Sequence, residues 1–590
     1  MRERGGAAWN VHVLISLFFF VICCSIPTLS VNPTLYRERV RGMVVHTYDS
    51  YMTYAFPKDE LRPLSCTGAD TLGGYSLTLI DSLDTLAVVY NCTEFFKMAT
   101  YVSDNISFDI DLCVSVFETN IRILGGLLSA HYIATTSSIC PPNEKYPYDG
   151  GLLRLAVDVA NRLTPAFDTV TRMPYGTVNL RYGVPKDEVT VTAAAGVGTF
   201  IMEFGYLSHL TGDHRYYELA YNATAALHGR RGKKGLVGTH IDIQSGKWAG
   251  PITGVGSYVD SYIEYLLKGY VMFGDQRLFE CFCDIYNTSL LNFYDPITGW
   301  YGEKGAKAML PEFGSLAAFW PGMQVLAGDV GMASFSQHQI FAQTWRKYGC
   351  IPEKINWKQN TIRQDGYSLR PEVAESLFYL YRATKDPVWR EYGSEMVDSL
   401  EANMRTECGY ASIKHVSKME VWDHMESFFL SETLKYLYLL FEEDDHFLFE
   451  NNVVFNTEAH PLPVLSSRAG KRSAAGGDGA LVLAECPSST CTSLLSIMTT
   501  LFFCPHTGAD VLHTAPWRAD GWDQELPDEA AAAETGSADP PDGLITTQTL
   551  VAEVDLLGHI RRALTEVWEG MQNEARVGPT SPEGSDYGSW

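Results

Sequence analysis

Phe117-Glu118-Thr119-Asn120-Ile121-Arg122-Ile123-Leu124-Gly125-Gly126-Leu127-Leu128-Ser129-Ala130 reads as a helix, with Ile121, Leu124 and Leu128 at the three- and four-residue spacing that lines one face. Glu118 and Arg122, four apart, share the other side with Gly125. Such a pair is either a solvated ion pair that adds little to stability or part of a site. Acids inside apolar helical patterns are costly to bury unless they hold a metal, pair with a base or do chemistry.

The same period spreads outward. On the N-terminal side Val40, Met43, Val44, Thr47, Tyr48, Tyr51, Met52 and Ala55 draw one stripe. Similar patterns occupy 76–90, 117–132, 152–163, 191–210, 216–227, 258–273, 277–291, 312–326, 334–348, 370–384, 387–404 and 426–441, thirteen helices in all. The strand-like stretches 177–182 and 247–252 are short and Gly- or Pro-flanked and read as loop hairpins, so the class is all-α. No fixed repeat length appears, which disfavours a solenoid. A closed double ring of helical hairpins would instead gather acids from distant segments at one mouth.

Those acids sit in Asp260-Ser261, in Arg370-Pro371-Glu372-x-x-Glu375-Ser376, in Phe428-x-x-x-Glu432 and in Asn456-Thr457-Glu458-Ala459-His460-Pro461. Glu372 and Glu375 share a helical face opposite Leu377, Phe378 and Tyr381, and Phe428 places an aromatic ring beside Glu432. Sugars stack on such rings and hydrogen-bond to such acids. Spacing alone does not separate these acids from helix-surface ion pairs.

A net charge of −25 leaves too little clustered Lys and Arg to neutralise phosphates, which excludes a nucleic-acid binder. Arg2 and Arg4 precede an apolar run from about 11 to 24 and small residues to 30, the pattern of a secretory signal peptide; the run is short for a bilayer core of ~30 Å, and an uncleaved anchor is the alternative. Sequons at Asn91, Asn105, Asn222 and Asn287 agree with an oxidising lumen. Removing Cys23 and Cys24 with the signal leaves eleven of the thirteen cysteines, so at least one thiol is unpaired within the chain. Residues 464–590 form a low-complexity, acidic tail that is expected to be largely disordered: its stretch 520–586 carries 15 Asp and Glu against three Arg. Within it, 493–503 is apolar but too short to span, and Leu556, Leu557, Ile560, Leu564, Trp568 and Met571 form one helical stripe.

Taken as strings, the segment at 117–130, Ser76-Leu77-Thr78-Leu79-Ile80-Asp81-Ser82-Leu83-Asp84-Thr85-Leu86 and Asp260-Ser261-Tyr262-Ile263-Glu264-Tyr265-Leu266-Leu267-Lys268 resemble the class I α1,2-mannosidases, glycoside hydrolase family 47, over 34–463. Phe319-Trp320-Pro321-Gly322-Met323-Gln324-Val325-Leu326-Ala327-Gly328-Asp329 is similar to the ER degradation-enhancing mannosidase-like (EDEM) branch, in particular its shorter member. The resemblance implies an (α/α)7 barrel, a Ca2+ ion at the base of a pocket and hydrolysis with inversion. It implies Glu118 as general acid, Glu372 as general base and Asp260 as a third carboxylate acting on the water, with Thr457 holding the ion. Arg122, Arg370, Glu375, Phe428, Glu432 and Glu458 match positions that line the sugar pocket and the water shell of the ion.

Two positions depart from the processing mannosidases of that family, Tyr258 where they carry Arg and Ser315 where they carry His. The resemblance further implies an enzyme of the ER lumen that trims high-mannose N-glycans on misfolded glycoproteins and routes them to degradation. The alternative is a mannose-binding receptor with little turnover, which would tolerate Glu118→Gln. In a closed ring the first and last hairpins are neighbours, so Cys66 and Cys408 are candidates for a disulfide. The odd thiol count leaves a candidate for a mixed disulfide with a thioredoxin-like oxidoreductase among Cys486, Cys491 and Cys504.

Overall fold

The computed structural model describes residues 31–305, 308–444 and 446–466. The signal segment and the tail with Cys486, Cys491 and Cys504 lie outside the described residues.

Fourteen principal helices alternate between an outer and an inner ring. The outer ones are α1 (Pro33–Ser50), α3 (Cys92–Asn105), α5 (Gly151–Leu163), α7 (Arg215–His228), α9 (Gln276–Phe293), α11 (Val330–Gln343) and α13 (Pro387–Asn403). The inner ones are α2 (Leu77–Asp81, continued by Leu83–Thr85), α4 (Gly125–Thr135), α6 (Ile201–Thr211), α8 (Asp260–Phe273), α10 (Trp320–Leu326), α12 (Glu372–Thr384) and α14 (Leu434–Phe441). From α4 onward each inner helix packs on the outer helix that follows it, and α14 returns onto α1, so the ring of seven hairpins closes.

Burial explains which helices go inside. Every residue of α14 from Leu434 to Phe441 is buried, whereas α9 buries a single stripe of Leu278, Phe279, Phe282, Ile285, Tyr286, Ser289 and Phe293. A helix apolar all round belongs in the core, and one with a polar face belongs at the surface. Three inner helices are preceded by a π turn or a short 3-10 piece, at Thr119–Leu124, Ser315–Phe319 and Phe429–Thr433, whereas α2 carries its π turn, Leu86–Tyr90, at its far end. Irregular turns of this kind often mark functional ends of helices.

One expectation is corrected and two are extended. Helix α3 was not among the thirteen: Phe95, Phe96, Met98, Ala99 and Val102 form its buried stripe, and Asn91, read as a sequon, also caps it by accepting from the Glu94 N–H at 2.7 Å. The segment at 177–182 turns back on itself as expected, Asn179 and Gly183 exchanging backbone hydrogen bonds at 2.9 and 2.8 Å, and Thr177–Asn179 also pairs with Cys113–Ser115, a partner distant in sequence. The stretch at 247–252 is the returning arm of a loop hairpin, with the Asp242 N–H donating to the Lys247 carbonyl at 2.9 Å and the Ala249 N–H to the His240 carbonyl at 2.8 Å, while His240–Asp242 pairs on its other side with Val191–Ala193. Short strands are set by partners far along the chain, which local pattern cannot name.

Cys66 and Cys408, 342 residues apart, are joined and tie the first hairpin to the last. A second disulfide, Cys92–Cys140, straps the start of α3. Among the described residues Cys113 is exposed, Cys281 half-buried and Cys350 buried, all three as free thiols.

Candidate active site

The acids picked out by sequence are carried to one end of the ring by inner helices. Asp260 and Glu372 are the first residues of α8 and α12, and Glu118 ends the one-turn helix Val116–Glu118, capped by the Ser115 hydroxyl accepting from the Glu118 N–H at 3.2 Å. The π turn that follows points Arg122 inward: its Nε donates to Glu118 at 2.8 Å and its Nη1 to Glu458 at 3.2 Å and to Ser427 at 3.1 Å. The Arg122 side chain is 13 % exposed, and its guanidinium lies 5.4 Å from the Phe428 ring centre. The Glu118–Arg122 pair is therefore part of a buried network and not a solvated surface pair.

The remaining carboxyls face one another with few cations between them. Burial, with help from the charges of Glu264 and Glu372, pushes the Asp260 carboxyl up to about 7. Burial likewise raises Glu372 to about 7 against the pull of Arg370, with Glu353 and Glu264 adding to the rise. Glu375 rises to about 8 through burial, opposed by Lys268, and Glu458 rises to about 8 through burial, opposed by Arg122. Glu432 is driven well above the usual carboxylate range by burial and by Glu458, Glu372 and Glu375. Because Glu432 feels acids from both the Glu458 side and the Glu372 side, all of the sequence-derived acids belong to one constellation.

Thr457 sits half-buried on the turn after the last helices, with its N–H 3.4 Å from the Tyr265 hydroxyl. That turn is held with unusual care. Asn456 accepts from the N–H groups of Glu458 and His460 at 2.9 Å and donates its amide to the Ile121 carbonyl at 3.1 Å and to Glu203 at 2.9 Å. Lys435 Nζ donates to the Ala459 carbonyl at 2.8 Å and to Asp84 at 2.7 Å. His460 bridges Asp84 at 2.7 Å and Asp81 at 3.2 Å. Gly125 permits the approach: a Cβ there would lie 2.6 Å from the Asn456 amide nitrogen and 2.9 Å from the His460 ring.

Asp81, Asp84, Lys435 and His460 are all fully buried, and no role had been assigned to them from sequence. Asp81 and Asp84 lie within the strings quoted above, and two Asp among buried apolar neighbours was the available signal. Glu203, Glu264, Lys268 and Glu353 were missed as well, since their contacts come from other hairpins. Tyr258, one of the departures, has a left-handed backbone (φ 74°) and packs at a 50° tilt against the His240 ring with ring centres 4.6 Å apart; the other, Ser315, is buried.

The donor set suits a hard divalent cation. The carboxyls of Glu118, Asp260, Glu264, Glu372, Glu375, Glu432 and Glu458 outnumber Arg122, Arg370 and Lys268, and Glu372 Oε2 is buried without a hydrogen-bond partner. Oxygen ligands, carboxylate-held water and excess negative charge are what calcium requires.

A closed ring of helical hairpins around a bowl of buried acids, an arginine fork and an aromatic ring is the arrangement of an (α/α)-barrel carbohydrate enzyme. The model of glycosyl hydrolase family 47 matches residues 43–464, and the chain belongs to that family. It is similar to the ER degradation-enhancing alpha-mannosidase-like protein 2 of Mus musculus, 46% identical over 456 residues covering 73% of this chain and 78% of that protein. It is equally similar to alpha-mannosidase I MNS4 of Arabidopsis thaliana, 46% identical over 469 residues covering 77% and 74% of the two chains. Among solved structures, the alpha-1,2-mannosidase from Trichoderma reesei matches with a TM-score of 0.65 and 29% identity, over 74% of this chain and all of that one.

Proposed function

We propose that this protein is a calcium-dependent, inverting α1,2-mannosidase that trims high-mannose N-glycans on misfolded glycoproteins in the ER lumen and so commits them to degradation. It is a glycoside hydrolase of the mannosidase type, as family membership and the similarity to mannosidases support. The single observation that carries the reading is one network of acids from different hairpins: Asp260 faces Glu372, Glu432 faces both Glu372 and Glu458, and Arg122 joins Glu458 to Glu118.

Inversion needs one carboxyl to protonate the leaving oxygen and another to take a proton from water on the opposite face of the sugar, the two standing ~6.5–9.5 Å apart. Glu118, held at its rim position by Ser115 and paired with Arg122, supplies the first group. Glu372 supplies the second, with Asp260 beside it close enough to share the burden of orienting the water. Burial lifts the Glu372 carboxyl from its ordinary range toward neutral pH, the regime in which a general base works. Phe428, stacked under Arg122, offers an apolar floor for a sugar ring, and Arg370, Glu375, Glu432 and Glu458 its hydroxyl partners. Thr457 would hold Ca2+ through oxygen, with the surrounding acids holding its water; the ion supplies positive charge that orders hydroxyls and water at the reacting carbon.

Substrate access to a misfolded protein is proposed to involve an oxidoreductase partner bound through a tail thiol. Glycan mass profiling on an unfolded high-mannose glycoprotein, with calcium and an oxidoreductase present, tests the reading. Wild type is expected to shorten the glycan, and Glu372→Gln to lower the rate by about 10³-fold or more, since an essential base is lost. Retention of intact glycan by wild type, or full turnover by Glu372→Gln, refutes it.

A further inference from the structure

The sequons divide into two kinds once they are folded. At Asn222 and Asn287 the asparagine is half-buried in the middle of a helix, α7 or α9, and the hydroxyl residue of the motif, Thr224 or Ser289, is buried. At Asn91 and Asn105, one at each end of α3, asparagine and hydroxyl residue are both exposed, Asn91 with Thr93 and Asn105 with Ser107. An acceptor tripeptide has to stand clear of the protein body, which suits the second kind.

Asn91 differs from Asn105 in the residue at the centre of the motif. Its tripeptide is Asn91-Cys92-Thr93, and Cys92 is bonded to Cys140, 48 residues further on and fully buried. The folded tripeptide is held by hydrogen bonds as well: the Asn91 N–H donates to the Leu86 carbonyl at 2.8 Å, the Asn91 carbonyl accepts from the Phe95 N–H at 3.1 Å, and Asn91 Oδ1 accepts from the Glu94 N–H at 2.7 Å. Hydrogen bonds at a helix end fray readily, whereas the disulfide does not. The atom that takes a sugar is the amide nitrogen Nδ2, and the cap uses only Oδ1. A glycan on Asn91 therefore leaves both the cap and the disulfide in place.

We propose that Asn91 is an N-glycan acceptor whose occupancy is set by a race with the closing of Cys92–Cys140: a glycan attached first stays, and a disulfide closed first locks the tripeptide into the start of α3 and ends the modification. The inference rests on the lumenal location in the proposed function and not on its hydrolytic chemistry. In the transfer, Asn91 Nδ2 loses a proton and bonds the anomeric carbon of an oligosaccharide whose lipid-linked pyrophosphate leaves. In the closure, the two thiols give two protons and two electrons to the disulfide of a thioredoxin-like oxidoreductase, which is reduced to its dithiol. Asn91 emerges before Cys140, and at about 5–20 residues per second the 48-residue separation gives the transfer a start of roughly 2–10 s. Disulfide formation takes seconds or longer, so neither reaction wins outright. Asn105, with Ile106 at the centre of its motif, has no such competitor.

The test is translation of the full chain into ER-derived microsomes, with the occupancy of each sequon read by glycopeptide mass spectrometry. Wild type is expected to be partly occupied at Asn91. Cys140→Ser leaves the tripeptide itself unchanged and is expected to cut the unoccupied fraction of Asn91 at least ~2-fold, since the window for transfer no longer closes. Reductant added during translation is expected to do the same to wild type and to add nothing in Cys140→Ser, with Asn105 indifferent to both. Occupancy is read on the newly made chain, so a variant that misfolds still reports. Equal Asn91 occupancy in wild type and Cys140→Ser, or a reductant response that survives in Cys140→Ser, overturns the coupling, and an Asn91 left bare in every arm overturns the acceptor itself. Failure of the lumenal reading looks different: all of the sequons stay bare and the chain is open to added protease, and the proposal then falls with it.

Discussion

The four buried charges Asp81, Asp84, Lys435 and His460 decide whether the Asn456–His460 turn stays in place. Burial alone would raise the Asp84 carboxyl, yet Lys435 and His460 hold it down at about 2. Burial opposes the His460 imidazolium, and Asp84 and Asp81 overcome it, lifting His460 to about 9. The sign follows for each group. What His460 contributes is fully present below its ordinary 6.5 and is lost as pH rises through about 9, while the contribution of Asp84 is present above 3.8 and lost as pH falls through about 2. Wild type should therefore lose thermal midpoint between pH 7 and 9, and replacing His460 by Gln should flatten that decline. Lys435→Met leaves Asp84 with His460 as its one cationic partner, beside the Ser129 hydroxyl, in a dry site and should cost about 3–5 kcal/mol in denaturant titration, since removing one side of a buried pair leaves the other under-compensated. The acids of the bowl were legible in sequence because a carboxylate among apolar positions is conspicuous. The partners that orient them, Glu353 on Arg370 and Glu264 with Lys268 near Glu375, were not, because each pairing depends on how separate hairpins are juxtaposed.

At the scale of elements, periodicity located nearly every helix and the closed ring places them. The miss at α3 has a local cause: Asn91 does two jobs, sequon and cap, and Cys92 opens the helix with a disulfide residue. The π turns were also invisible, because one inserted residue per turn leaves the apolar spacing almost unchanged, yet it is the turn at Thr119–Leu124 that aims Arg122 at Glu458. Helix α4 approaches α2 so closely that a Cβ on Gly126 would meet the Ile80 carbonyl at 2.7 Å. The neighbouring Gly125→Ala should push the Asn456–His460 turn away from the bowl, lowering calcium affinity measured by calorimetry at least ~10-fold while the helical circular dichroism signal is retained. Unchanged calcium binding in that variant would mean the turn is not the ion's support.

For the whole molecule, closure is what turns scattered acids into a site, and the ring is closed twice: by α14 packing on α1 and by Cys66–Cys408. A cross-link spanning 342 residues removes more unfolded-chain entropy than any short loop could, about 6 kcal/mol in the chain-entropy model. Cys66→Ser with Cys408→Ser should therefore lower the thermal midpoint by several degrees and reduce hydrolysis through misalignment of the first and last hairpins, measured on the same preparation. In the proposed mechanism Glu118 and Glu372 act from opposite faces of a mannose seated in this ring, so the released sugar carries the inverted anomeric configuration. Proton NMR of the sugar released in the first minutes of reaction, before mutarotation, tests it most directly. The account predicts that β-mannose appears first and that chelation of calcium abolishes it; α-mannose appearing first, or release that is indifferent to Glu372→Gln, would contradict it.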